Sequence, residues 1–389
     1  MSQPMQPVKT VMTPFNIISG IIILIGVVLT ILRFSKGIGA VTNLDDSNPW
    51  GIWIGFDLLC GVALAAGGYV TCATCYIFGL KHFKVAVRPA ILTAFLGYAL
   101  VVVALSYDVG RPWRLPYPIF FSQGTSSILF EVALCVMLYL SVLFFEFIPA
   151  AFEWLGWKHA HNIIGKFSLV LVIFGIILST LHQSSLGALF LIAPSKLHPL
   201  WHSGYLAVYF FISSIFAGMS MVIFEHMVVD RFLHDKIDEE HDIQSNNVAL
   251  GFGKAAAFLM AGYLMIQVIG IAIDNDWKYL GTRWGLWYLF EMIGFVGLPA
   301  VVYGIGVREN NIRLIQWTSF WVVIGVVLNR LNISIVAFNW QLPMELRYFP
   351  SWMEIMTTVF IITVGIVLFK FIATRMPILH EHPDYPDDH

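Results

Sequence analysis

Ten long apolar runs divide the sequence, at 15–34, 52–79, 90–107, 125–147, 164–184, 203–228, 254–274, 284–306, 315–337 and 352–373. A bilayer crossing needs about 20 mostly apolar residues. Each run therefore reads as a membrane-spanning helix, and the fold class as all-α integral membrane. Almost nothing remains for a globular domain, so residues 1–389 read as one polytopic membrane domain. The first run is long enough to span and no small-residue cleavage site precedes it, which predicts an uncleaved first helix. The longest connection, roughly 229–253, mixes both signs of charge and reads as a solvated loop or surface helix. The end of the chain, 375–389, reads as a disordered cytoplasmic tail. Its His380 and His382 are not taken as a metal site.

Composition agrees with that reading. Hydrophobic residues make up 58% and charged residues only 12%, against about 25% charged in an ordinary soluble domain. The net charge of -2 points to no nucleic-acid partner. Cys60, Cys72, Cys75 and Cys135 lie in or near apolar runs. "CATC" (Cys72 to Cys75) has metal or redox spacing but no following His, so these read as small buried helix residues. Lys and Arg favour the side that holds both termini, which places both termini in the cytoplasm.

Against this apolar background "LSTLHQSSLGALF" (Leu178 to Phe190) is anomalous. It sets His182, Gln183, Ser184 and Ser185 in a block within the fifth run. A charge at mid-bilayer costs about 2.5–3.5 kcal/mol on insertion scales and is by default a functional hypothesis. With the N-terminus inside, Asp57, Asp108, Glu131, His182, Glu291 and Glu354 all fall toward the outer side, and Arg330 slightly outward of centre. Glu146, Glu225 and His226 lie at the inner end. Separate helices thus bring acids, a base and a cation to a similar depth, which points to a site. The plainer alternative is structural: Arg330 neutralising Glu291 or Glu131, and Asp108 pairing with Arg111.

Short internal matches add an architecture. "LSTLHQSS" resembles "LNRLNISI" (Leu328 to Ile335), aligning His182 with Asn332, and "ILFEVAL" resembles "YLFEMIG", aligning Glu131 with Glu291. A shift of four helices predicts two four-helix bundles, helices 2–5 (about 52–184) and 6–9 (about 203–337), as parallel repeats. Helices 1 and 10 are additions. Only the first half carries the His, so the site is expected there.

An imidazole titrates near pH 6.5, and a carboxyl removed from water favours its neutral form. Asp57, Glu131 and His182, with Gln183, Ser185 and Arg111 near, can therefore hydrogen-bond a carbonyl or hydroxyl and pass protons. A quinone headgroup needs such partners. A bis-His haem needs two facing imidazoles at one depth; His182 alone is well inside a helix, with His202 a poor second, so neither haem nor metal is expected in this chain. No nucleotide or H-E-x-x-H motif occurs. A secondary transporter or ion-translocating protein uses the same kinds of buried charge and stays open as the alternative.

Several blocks closely resemble the NrfD/PsrC family: "NPWGIWIGFDLLCGVALAAGGY" (Asn48 to Tyr69), "YDVGRPWRLPY" (Tyr107 to Tyr117), "SSILFEVALC" (Ser126 to Cys135), "STLHQSSLGALF" (Ser179 to Phe190) and "HPLWHS" (His198 to Ser203). Weaker likeness continues through "RLNISIVAFN" (Arg330 to Asn339) and "YFPSWMEI" (Tyr348 to Ile355). Within the family the chain resembles the ten-helix HybB type, found with periplasmic nickel–iron hydrogenases, and the equivalent subunit of high-molecular-weight cytochrome complexes.

The resemblance implies a quinone-interacting subunit in a bacterial or archaeal cytoplasmic membrane, inactive without its redox partners. It implies electron exchange between menaquinone or ubiquinone and a periplasmic ferredoxin-like iron–sulfur subunit, coupled to hydrogenase or multihaem cytochrome c subunits. Carried over by residue, Asp57, Glu131 and His182 handle the quinone and its protons, and Asp108 and Arg111 shape the mouth. A proton path inward has Tyr139, Glu146 and Glu225 as its candidate steps.

Overall fold

A computed structural model of the chain describes residues 13–233 and 239–379. Among these the structure is helical, with ten helices long and apolar enough to cross a membrane. They are α1 (Pro14–Lys36), α2 (Trp53–Ile77), α3 (Lys81–Asp108), α4 (Ile128–Leu155), α5 (Ser168–Ile192), α6 (Leu206–Phe232), α7 (Ile243–Asp274), α8 (Arg283–Arg308), α9 (Ile312–Val336) and α10 (Trp352–Arg375). All ten apolar runs are thus helices. Without water inside the bilayer, a helix satisfies its own backbone polar groups, which is why apolar runs of this length fold this way.

Odd-numbered spans finish, and even-numbered spans begin, at one end of the assembly, here termed the upper end. Neighbours in sequence pack side by side from α2 through α5 and from α6 through α9. The two stretches meet where α6 crosses α2 and α5; α6 also packs on α9 within its own stretch, and α1 and α10 pair outside both, α10 also lying on α3. The α2–α6 crossing is close because both sides carry glycine: a Cβ on Gly218 would meet the Ala66 carbonyl carbon at 2.6 Å, and one on Gly67 the Gly218 oxygen at 3.1 Å. Small residues let membrane helices approach in this way.

Three spans contain π-helical segments. Trp53–Leu58 and Ala73–Ile77 in α2, Ile293–Gly297 in α8 and Asn332–Val336 in α9 are wound as π-helix. An extra residue per turn rotates the downstream side chains relative to an α register, so the 3.6 period misplaces their facing. At the lower end, Met376–Leu379 do not trail away as the tail reading expected. Ile378 and Leu379 pack with Leu92, Leu96, Ala150 and Val229, because Arg88 Nη1 holds the Pro377 carbonyl at 2.8 Å. Residues 380–389 of that tail, with His380 and His382, lie outside the described residues, as do 234–238 in the longest connection.

Candidate functional site

The polar block on α5 faces inward. Gly175, Leu178, Ser179, His182, Gln183, Ser185, Leu186 and Leu189 are buried, the spacing of one helix face. His182 is fully buried. Its Nδ1 is 3.0 Å from the Tyr98 hydroxyl on α3, and its Nε2 has no hydrogen-bond partner in the protein. Tyr98 is itself fully buried and stands edge-on to Tyr139 of α4, ring centroids 4.7 Å apart.

Gln183 donates from Nε2 to the Val62 carbonyl of α2 at 2.9 Å, leaving its Oε1 without a partner. Ser185 donates to Glu131 Oε1 at 2.6 Å, tying α5 to the first turn of α4, where Glu131 is exposed. Ser184 bonds back to the Thr180 carbonyl. His182, Gln183 and Ser185 thus reach from one stretch of α5 to α3, α2 and α4 respectively.

Asp57 belongs to a second group. It sits in the π segment of α2, is buried, and accepts from the Thr358 hydroxyl of α10 at 2.8 Å. No hydrogen bond links it to the His182 group. Around it α10 begins with a capping box, Ser351 accepting from the Glu354 amide and Glu354 from the Ser351 amide. Fully buried Glu354 also accepts from the Asn43 amide and the Tyr348 hydroxyl.

Asp108 lies near this group, with Oδ1 buried and without a partner. The guanidinium beside it is that of Arg33 on α1, not Arg111. Arg33 is 3% exposed and donates to the Tyr107 and Val109 carbonyls at 2.7 and 2.9 Å. Arg111 is exposed in the following loop. Arg33 sits at a helix end, where position alone reads as an interfacial charge.

At the lower end the expected path residues separate. Glu146 lines a cavity of about 120 Å³ together with Lys84, Arg88, Glu153, His161 and Ser168. A Cβ on Gly175 would touch both the Tyr139 ring (3.5 Å) and Glu146 Oε1 (3.8 Å), so Glu146 and Tyr139 flank the same point of α5. Glu225 is elsewhere: it accepts from Thr93 at 2.7 Å and lines a separate cavity of about 30 Å³ beside Ser245. A buried cluster with no cue in the sequence closes this end. Arg88 grips Glu153 with two bonds of 3.0 and 2.9 Å, and His161 Nε2 lies 3.1 Å from the same carboxylate.

The α9 charge is bound to its own half. Glu291 accepts from Asn329 (2.6 Å), Asn332 (2.6 Å) and Trp201 (2.8 Å). Arg330 donates to Asn329 Oδ1 and Ser213 and caps the Phe210 ring at 3.8 Å. Asn329 thus joins Glu291 to Arg330, the structural pairing the sequence offered as the plainer alternative. Glu131 takes no part in it.

His198, in the loop before α6, is enclosed by Trp201, Tyr279, Trp284 and Trp340. Its Nδ1 accepts from the Leu200 amide at 3.2 Å, and burial lowers its pKa to about 4. The rings packed on His182 and His198 are those of Tyr98 and of Trp201, Tyr279, Trp284 and Trp340. Among the described residues no group of three His, Cys, Asp or Glu could hold a metal ion.

The family described as "Polysulphide reductase, NrfD" matches residues 40–341, and the chain belongs to that family. It is 63% identical over 98% of its length to a protein of Nitratidesulfovibrio vulgaris, covering 98% of that relative. It is 32% identical to the probable Ni/Fe-hydrogenase 2 b-type cytochrome subunit of Escherichia coli K12, over 97% of this chain and 96% of the relative. The menaquinone reductase integral membrane subunit of Nitratidesulfovibrio vulgaris is 24% identical over 90% of this chain and 88% of its own. These last two relatives are, by name, subunits of redox enzymes.

Proposed function

We propose that this NrfD-family chain is the quinone-interacting membrane subunit of a respiratory complex. It exchanges electrons between a periplasmic iron–sulfur or cytochrome partner and menaquinone or ubiquinone. The observation that carries this reading is His182: a fully buried imidazole held through Nδ1 by Tyr98, with Nε2 buried and without a hydrogen-bond partner in the protein. A buried polar group without a partner costs free energy, and a quinone oxygen supplies the missing partner. Gln183 Oε1 offers an acceptor from the adjacent position. The name of the menaquinone reductase relative agrees with a quinone as substrate.

In this reading the upper end faces the periplasm, both termini face the cytoplasm, and the membrane is the cytoplasmic one. The periplasmic partner is a ferredoxin-like iron–sulfur subunit joined to hydrogenase or multihaem cytochrome c subunits. Reduction of the quinone takes two electrons from that partner and two protons. His182 hands on one proton at the quinone oxygen, and Glu131, held by Ser185 and open to solvent, exchanges protons at the upper rim. Asp57 and Asp108 border the site from the α1–α2–α10 side. Tyr98, Tyr139 and Glu146 form the line by which a proton reaches His182 from the lower cavity.

The test is binding of a quinol analogue to the purified chain, followed by fluorescence quenching, with His182→Ala beside the unsubstituted protein. Saturable binding that weakens in the variant is expected. A folded chain that binds nothing overturns the reading and favours the transporter alternative, which predicts solute flux in liposomes from this chain alone.

A further inference from the structure

We propose that Tyr98 is a positioning residue that fixes the tautomer of His182, and that this tautomer sets the preference of the site between oxidised quinone and reduced quinol. The proposal rests on the functional reading above and deepens it at one atom.

The hydrogen bond between Tyr98 and His182 Nδ1 spans 3.0 Å, and either atom has the chemistry to donate. A phenol O–H is the better donor and a neutral imidazole nitrogen the better acceptor. Inside a low-dielectric helix packing that difference is not levelled by water. The phenol therefore donates to Nδ1, and the one proton of the neutral ring resides on Nε2. The phenol ring is held in place by its packing. Tyr98 is fully buried, braced edge-on by Tyr139 at 83° between planes and tilted against the His182 ring at 5.5 Å.

The result is a single N–H donor at Nε2, buried and without a protein partner. A donor in that position is satisfied by an acceptor-only oxygen, which a quinone carbonyl is. A quinol hydroxyl brings a proton of its own to the same place and needs Nε2 as an acceptor.

The pair also has a second arrangement. When two electrons arrive from the iron–sulfur or haem partner, the Nε2–H bond breaks and an O–H bond forms at the quinone oxygen. The phenol proton of Tyr98 passes to Nδ1, so the ring stays neutral, now protonated on Nδ1. Tyr98 regains its proton from the hydroxyl side, where Ser179 lies against both Tyr98 and Tyr139. Nε2 is then an acceptor and matches the quinol hydroxyl. The tautomer thus follows the redox state of the ligand, and in the resting chain Tyr98 biases it toward the oxidised form.

The test compares a short-chain 1,4-naphthoquinone with the matching 1,4-dihydroxynaphthalene kept reduced without oxygen. Both are titrated into the purified full chain by tryptophan quenching. The unsubstituted chain is expected to favour the naphthoquinone. Tyr98→Phe removes one oxygen and is expected to lower the quinone-to-quinol affinity ratio about tenfold, with quinol binding largely kept. Tyr303→Phe, which removes a buried hydroxyl bonded to Ser220 instead, is expected to leave the ratio unchanged. Equal weakening of both ligands in Tyr98→Phe overturns the proposal, since a packing role alone gives that result. Absence of binding in the unsubstituted chain sinks the functional reading itself, a different failure.

A second measurement does not depend on how Tyr98→Phe folds. The ring-stretch infrared band of His182, isolated by subtracting the His182→Ala spectrum, reports which nitrogen bears the proton. The Nε2–H form is expected in the ligand-free chain, and the Nδ1–H form there overturns the proposal.

Discussion

The Thr358 hydroxyl donates to Asp57 Oδ2 across 2.8 Å, joining α10 to the π segment of α2. A helix outside the two four-helix stretches thereby reaches a carboxyl that the sequence assigned to the site. Thr358→Val is expected to destabilise the chain by about 1–3 kcal/mol, the cost of leaving a buried acceptor unmatched. Asp57→Asn keeps an oxygen for Thr358 and is expected to cost less. Thermal unfolding in detergent ranks the two, and equal losses would mean that the carboxylate charge, not the bond, is what α10 needs.

The lower-end clasp gives a larger effect. Glu153 is 2% exposed and depends on the two-pronged grip of Arg88. Arg88→Ala is expected to cost about 3 kcal/mol, because it leaves the buried Glu153 carboxylate with His161 in place of a guanidinium. It also releases the Pro377 carbonyl. Combining it with Glu153→Gln is expected to recover part of the loss, since the stranded charge is then gone. An unfolding midpoint no better in the double variant than in Arg88→Ala would rule this account out.

The ten spans and the polar block of α5 were legible because they depend on local pattern: apolar run length and a cluster of polar residues in an apolar run. Tyr98 was not. A tyrosine in a membrane helix carries no mark of its partner, and its bond to His182 arises from how α3 packs near α5. Asp57 was placed with His182 by depth and by the family resemblance, neither of which shows that its π-wound segment meets Thr358 of α10. Arg33 and Arg111 exchanged roles for a similar reason. Both lie near the upper boundary in sequence, and only the turn after α3 decides which one meets Asp108.

His198 carries a pH dependence that sits outside the membrane spans. Its folded-state pKa is lowered to about 4 by burial among aromatic rings, below the roughly 6.5 of an unfolded chain. Between these values the unfolded chain binds more protons, so stability falls as pH falls. The contribution is complete above about pH 6.5 and is lost as the pH drops through about 4. The charges bordering the ring box are Lys278 over Tyr279 and Arg347 over Trp284, and both add to the repulsion of an imidazolium. His198→Gln is expected to flatten the unfolding midpoint across this window relative to the unsubstituted chain. Parallel curves would assign the acid sensitivity to other groups.

Proton supply separates two glutamates that the sequence treated alike. Glu146 lies beside Tyr139 at Gly175, with the about 120 Å³ cavity on its other side. At about 30 Å³ per water of liquid volume, that cavity has room for several waters. Glu225 uses one oxygen on Thr93 and lines a different cavity, with no described bond toward Tyr98 or His182. Glu146→Gln is therefore expected to slow quinone turnover of the assembled complex by at least about tenfold, at the low end of what a proton-transfer group contributes. Quinone-analogue affinity should be unchanged. Glu225→Gln is expected to leave both unchanged. Turnover in proteoliposomes, with a trapped pH dye reading uptake from the lower side, distinguishes the routes. Slowing by Glu225→Gln alone would move the path to the α3–α6 side and detach it from Tyr139. Slowing by neither would mean that the protons are exchanged at the upper rim, where Glu131 meets solvent.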